Sequence, residues 1–152
     1  MTPTYECALA MIDRAEEQIL FISQYPPDGP LLKKLLAKAK KDVFVSIPVQ
    51  PKGDHRLKCS PYNVMNALFL LAAKGAEEDF FNVEERILPS HNKALIVDEK
   101  EILYGTDNLL YSLMCFVGSK EVSLWSNDET FVRAMGDMLF SLDFGGGIHS
   151  VG

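Results

Sequence analysis

His91, Lys93 and Asn108 are the residues of this 152-residue chain whose types and spacing can do chemistry together. They fall in the run His91-Asn-Lys-Ala-Leu-Ile-Val-Asp-Glu-Lys-Glu-Ile-Leu-Tyr-Gly-Thr-Asp-Asn108, which also holds Asp98, Gly105 and Thr106. Imidazole is a competent nucleophile at phosphorus and is partly neutral near pH 7. A lysine ammonium and an asparagine amide can bind the non-bridging oxygens of the same phosphate. Each well-placed donor is worth roughly a few kcal/mol to the transition state. Side chains two apart on a strand share a face, so His91 and Lys93 project together. A strand-to-turn step then brings Asn108 near them.

The elements that must hold these residues are readable from apolar periodicity and punctuation. Residues 5–17 repeat Ala8, Met11, Ile12 and Ala15 at helical spacing. Residues 19–23 read as a buried strand, and 24–30 as a loop, because prolines and Gly29 block both helix and ladder. A helix over 31–41 turns Leu31, Leu32, Leu35 and Leu36 inward and its lysines outward. A second strand covers 43–47 and is ended by Pro48 and Pro51. A polar loop follows over 48–60, then a helix over 61–74 with Ser60 as N-cap and Gly75 as C-cap. Phe80, Phe81 and Val83 suggest a short strand. Residues 94–97 and 102–104 form a strand pair joined by the acidic turn 98–101. A helical or irregular piece follows Asn108, a strand covers 122–126, and a last helix covers 128–142. Strands alternating with helices predict an α/β layer structure, with helices on both faces of a central mixed, mostly parallel sheet. One domain over 1–144 and a flexible Gly-rich tail over 145–152 are expected.

Composition narrows the function classes. The chain is 47% hydrophobic and 24% charged, ordinary for a soluble globular protein. A net charge of −6 supplies no overall field to attract nucleic acid or anionic lipid. Cys7, Cys59 and Cys115 fit neither a disulfide framework nor a zinc pattern and read as reduced, mostly buried thiols. No apolar run is long enough to cross a bilayer, and the first residues lack a secretory signal. The expected location is cytoplasmic or peripheral to a membrane. Lys33, Lys34, Lys38, Lys40 and Lys41 make a basic helix face, either solvated or in contact with phosphate-rich ligands. Trp125, Phe80, Phe81 and Phe116 are expected in the core.

The frame His-x-Lys-x4-Asp-x6-Gly-[Ser/Thr]-x-Asn, filled here by His91, Lys93, Asp98, Gly105, Thr106 and Asn108, resembles the signature of the phospholipase D superfamily. The order of elements over 5–47 looks like the opening of one half-domain of that superfamily. The loop Gln24-Tyr-Pro-Pro-Asp-Gly-Pro-Leu31 is similar to that of cardiolipin synthase-like members. Lys120-Glu-Val-Ser-Leu-Trp125 looks like the segment that carries a glutamate behind the signature. The resemblance implies a metal-independent phosphodiesterase with no cofactor, in which His91 forms a phosphohistidine intermediate. It implies phosphate binding by Lys93 and Asn108, a further hydroxyl donor in Thr106, and a hydrogen bond that Glu121 accepts from the second imidazole nitrogen. Asp98 would be structural, holding the turn near the site, and Gly105 would let the backbone approach closely.

The chain holds one such signature, since His55 and His149 stand in no second frame. These enzymes need a second histidine to protonate the leaving group. The site is therefore expected to be completed by a two-fold homodimer, or by another signature-bearing half of a longer protein. Lipid phosphodiesters are the favoured substrate, through hydrolysis or head-group transfer. The alternatives are a dimeric single-signature endonuclease acting on DNA or RNA and a non-catalytic half-domain. Small dimeric nucleases of the superfamily favour the first of these by chain length, while net charge disfavours it.

Overall fold

The structure is a computed structural model and describes residues 2–23, 25–49, 69, 79–85, 92–106, 109 and 122–144. The chain opens with α1 (Pro3–Arg14), two residues earlier than periodicity suggests. Thr2 supplies the cap, its Oγ1 accepting the Tyr5 N–H at 3.2 Å, and Pro3 occupies a first-turn position that needs no donor. Strand β1 (Gln18–Ile22) follows, then α2 (Gly29–Ala39). Gly29 and Pro30, expected to block a helix, instead start this one. Gly29 turns the chain with φ 56°, and Pro30 sits in the first turn. α2 ends in a left-handed cap: Asp42 has φ 64°, its N–H reaches Ala39 O, and the Val43 N–H reaches Lys38 O.

Strand β2 (Phe44–Val49) runs through Pro48 rather than stopping before it. The Phe44 N–H points to Glu17 of the β1 side and the Val45 N–H to Phe80 of the β3 side, so Pro48 faces β1 like Phe44. Pairing with β1 ends at Leu20↔Ser46, whereas pairing with β3 (Phe81–Glu85) continues to Val49↔Glu85. The missing proline donor therefore costs no ladder bond. Strands β4 (Ala94–Val97), β5 (Glu101–Gly105) and β6 (Ser123–Ser126) precede the last helix, α3 (Glu129–Phe144).

The six strands form one sheet in the order β3-β2-β1-β4-β5-β6. The mixed α/β architecture is as expected, but its parallel share is corrected. β1–β2 and β2–β3 are parallel, while β1–β4, β4–β5 and β5–β6 are antiparallel. A tight turn makes β4–β5 a hairpin, which can only be antiparallel. Asp98 and Glu99 both take left-handed φ, 54° and 57°, and the Lys100 N–H closes on Val97 O at 2.9 Å. This mirror-image turn matches the twist of the flanking strands.

Helices cover both faces. α1 and α2 pack on one, where Tyr5, Met11, Ile12, Leu31 and Leu35 meet Ile19, Phe21, Leu95 and Val97. Each fully buried Leu or Ile there contributes roughly 1.5–3 kcal/mol. Phe69 joins the same core, 6.3 Å from Phe81 between ring centroids. α3 covers the other face, with Val132 and Leu139 on Ile22, Ala94, Ile96 and Ile102. Two α2 lysines serve packing rather than a free basic face: Lys34 pairs with Asp13, and Lys38 Nζ donates to Asp13 O and Ala15 O at the end of α1.

Phe81 is buried as expected, and Phe80 packs against the same core. Trp125 is corrected: it is 43% exposed on β6, and its Nε1–H donates to Glu101 Oε1 at 3.1 Å. Glu101 also receives a two-pronged contact from Arg14, at 2.6 and 3.1 Å. The indole therefore lies over a polar bridge between α1 and β5. Cys7 is a free, half-buried thiol, pushed up by burial. Cys59, Cys115, Phe116, the helix expected over 61–74 apart from Phe69, and the tail over 145–152 lie outside the described residues.

Candidate active site

Lys93 stands one residue before β4, half-buried, and its carbonyl accepts the Gly105 N–H at 3.2 Å. The hairpin register, Ala94↔Tyr104, therefore extends to set Lys93 opposite Gly105. The next register, Gly105↔Ser123, adds β6. Lys93, Gly105 and Ser123 line a shallow pocket of about 10 Å³ together with Thr4, Leu103 and Leu109. That volume admits about one water-sized group. A roomier cavity of about 440 Å³ lies on the other face, between α3 and the start of β1, walled by Leu20, Phe44, Ile96 and Phe140. None of the described signature residues lines it.

Gly105 cannot carry a side chain here. A Cβ would stand 2.2 Å from Val122 O and 2.6 Å from Ser123 Oγ. Its neighbour Thr106 grips the same residue, Val122. The Thr106 N–H donates to Val122 O at 3.0 Å, and the Val122 N–H donates to Thr106 Oγ1 at 3.0 Å. Thr106 Oγ1 also lies 3.4 Å from Val122 O, at the outer limit of a hydrogen bond.

Asp98 sits at the opposite end of the hairpin. Five residue steps along the strand separate it from Lys93, roughly 16 Å at the usual rise. Its carboxylate accepts three consecutive backbone N–H groups, from Glu16 at 3.0 Å, Glu17 at 2.8 Å and Gln18 at 2.9 Å. Burial alone would raise this carboxyl. The three N–H groups and the Lys100 charge outweigh it and hold Asp98 below the usual carboxylate range. The turn that Asp98 holds is thus distant from Lys93 rather than beside it.

Of the other predicted site residues, His91, Asn108 and Glu121 lie outside the described residues. Leu109, directly after Asn108, is buried and takes a left-handed φ of 55°, a conformation that costs a non-glycine residue about 1–2 kcal/mol. Core packing pins it there in spite of the strain.

Ser23 was not anticipated from sequence. It is 4% exposed, at the end of β1, where the register Ile22↔Ala94 extends to place it across from Lys93. Its Oγ accepts the Tyr25 N–H at 3.4 Å. A serine closing an apolar strand just before a Pro-Pro loop was the available signal. Among the described residues no group of three or more His, Cys, Asp or Glu side chains comes together, and no helix is long and apolar enough to cross a membrane.

The model of the family described as cardiolipin synthase, PLD-like domain, matches residues 8–139. No curated protein sequence matches the chain. Among solved structures, the chain is similar to Nuc, a phospholipase D family member from Salmonella typhimurium, at 16% identity and TM-score 0.68, covering 90% of this chain and 84% of that one. It is similar to NucT from Helicobacter pylori at 14% identity and TM-score 0.64, covering 91% and 86%. It also resembles part of a polyphosphate kinase from Porphyromonas gingivalis, at 12% identity and TM-score 0.61, covering 92% of this chain and 24% of that one.

Proposed function

This chain belongs to the family of cardiolipin synthase, PLD-like domains, within the phospholipase D superfamily, and from that premise we propose that it is a metal-independent phosphodiesterase acting through His91. The observation that carries the reading is the signature frame in the sequence, whose described members Lys93 and Gly105 stand opposite each other at the end of the β4–β5 hairpin. In the proposed reaction the neutral imidazole of His91 attacks phosphorus and the bond to the leaving oxygen breaks. The partner's His91, protonated, gives its proton to that oxygen. The same histidine then takes a proton from water or an alcohol, which attacks the phosphohistidine and frees His91. Lys93 and Asn108 hold the non-bridging oxygens throughout, and Glu121 orients the nucleophile's ring.

A second copy of the chain, or another signature-bearing half, supplies the second histidine, because one signature brings one histidine. The two imidazoles titrate as a coupled pair. Phospholipids are the proposed substrate, on the strength of the family match, the Tyr-Pro-Pro-Asp loop and the net charge of −6. Cleavage of DNA or RNA is the second reading. It is favoured by chain length, since this chain spans 84% of Nuc and 86% of NucT.

Hydrolysis of bis(p-nitrophenyl) phosphate in EDTA, wild type beside His91→Asn, tests the chemistry. Turnover lost in the mutant is expected, and a folded dimer without turnover overturns the reading. Phospholipid vesicles and single- and double-stranded nucleic acids, compared across salt, then separate the substrates. Binding to nucleic acid falls steeply with salt, in proportion to the phosphates neutralised.

A further inference from the structure

The strand registers align Lys93, Gly105 and Ser123 in one row across the end of the sheet. Residues directly opposite on neighbouring strands share a face, so Lys93 and Ser123 stand on one face with Gly105 between them. Their backbones are roughly 10 Å apart, twice the strand spacing. Gly105 has no side chain to fill the gap. The Ser123 Oγ leans into it, 2.6 Å from where a Cβ on residue 105 would stand. Thr4, in the first turn of α1, walls the same pocket.

Thr4 and Ser123 are both half-buried, and neither hydroxyl has a hydrogen-bond partner among the described residues. A threonine deeper in a helix donates to the carbonyl four residues back, but the first turn offers no such helical carbonyl. A hydroxyl taken partly out of water costs free energy until it finds a partner. The neighbouring hydroxyls are already engaged: Thr106 Oγ1 accepts the Val122 N–H, and Ser23 Oγ accepts the Tyr25 N–H. The gap of about 10 Å³ holds one oxygen-sized group. An ammonium and two hydroxyls among its walls suit an anionic oxygen. Leu103 and Leu109 close it with apolar surface, which strengthens such contacts by lowering the local dielectric.

We propose that Ser123 and Thr4 are substrate-binding residues: their hydroxyls, with the Lys93 ammonium, hold one non-bridging phosphate oxygen in the gap that Gly105 leaves open. The donor role expected of the Thr106 hydroxyl thus passes to Ser123 on the facing strand. This rests on the reading above, in which Lys93 binds the phosphate.

The test titrates inorganic phosphate into the full chain by calorimetry at constant ionic strength, beside melting temperature and kinetics on bis(p-nitrophenyl) phosphate. Ser123→Ala is expected to weaken phosphate binding about tenfold, as befits a hydrogen bond to a charged group, with the melting temperature unmoved. It lowers kcat/KM on the diester by a similar factor. Thr4→Val weakens binding by about threefold or more. Ser123→Thr keeps the hydroxyl and restores binding. Lys93→Ala tests the underlying reading and is expected to weaken binding at least as much as Ser123→Ala. If Lys93→Ala releases phosphate while Ser123→Ala and Thr4→Val bind it as wild type does, the proposal is overturned and the Lys93 reading stands. A loss in Ser123→Ala alone overturns the part given to Thr4. A Ser123→Ala that melts lower yet binds normally gives the hydroxyl a packing role and overturns the proposal. Wild type that binds no phosphate, or Lys93→Ala that binds as well as wild type, removes the reading and the proposal together.

Discussion

Asp98 and Gln18 exchange two hydrogen bonds, each 2.9 Å long: the Gln18 N–H donates to Asp98 Oδ1 and the Asp98 N–H to Gln18 O. With Glu16 and Glu17 adding their own N–H groups, the carboxylate staples the β4–β5 turn to the start of β1. Its depressed folded-state pKa means that the stabilisation is present above the ordinary carboxylate range, about pH 4, and is lost as pH falls through the folded value. Asp98→Ala is expected to cost about 1–2 kcal/mol at pH 7, the turn being partly exposed. Denaturant titrations of wild type and mutant should converge as pH drops below the ordinary carboxylate range. A gap that stays constant over that range means another group holds the turn.

The Tyr5 hydroxyl accepts the Leu31 N–H at 3.0 Å, in a fully buried position. It satisfies a donor in the first turn of α2, where Asp28 makes no side-chain cap bond. Tyr5→Phe keeps the ring and removes the acceptor. The expected loss is about 1–3 kcal/mol, or roughly 5 °C in melting temperature by circular dichroism. An unchanged melt would show that the α2 start is satisfied elsewhere.

Gly105→Ala asks the β5–β6 pair to absorb a contact of 2.2 Å with Val122 O. Backbone is the obstacle, so no rotamer change relieves it. A loss of about 1–3 kcal/mol is expected, together with lost turnover. The single tryptophan, Trp125, lies on the displaced strand and reports the change by its fluorescence. Wild-type stability and emission in this variant would contradict the close approach.

Wild type and His91→Asn, unfolded together at equal amounts and refolded, sort into mixed dimers. If both histidines serve one phosphate, only wild-type pairs react, and turnover falls to about a quarter of an all-wild-type sample. Half-activity means that each chain works alone.

The strands and the amphipathic helices were legible because burial writes itself as an unbroken apolar run, as in Ala94 to Val97, or as a helical period, as in Leu31 and Leu35. Proline and glycine were misread where position decides their effect. Gly29 and Pro30 begin a helix, and Pro48 turns its missing donor toward a side where the ladder has ended. The signature spacing made Lys93, Asp98 and Gly105 legible as members of one hairpin. It could not show that Asp98 reaches residues 80 positions away at the far end from Lys93. Nor could it show that Thr106 meets Val122, 16 positions on, because such contacts follow from strand order and leave no local pattern. Trp125 looked like core by type alone, and its polar edge found Glu101 at the surface.

The pairing of β1 with β4 also governs when the molecule can fold. β1 and β2 are complete within the first 49 residues, but the centre of the sheet waits for Ala94 to Val97. Closing a loop of that length is slow compared with forming the local β4–β5 hairpin. During synthesis the amino-terminal strands must stand with an open edge until that hairpin emerges from the ribosome, which is the interval in which this chain is most exposed to pairing with a neighbour.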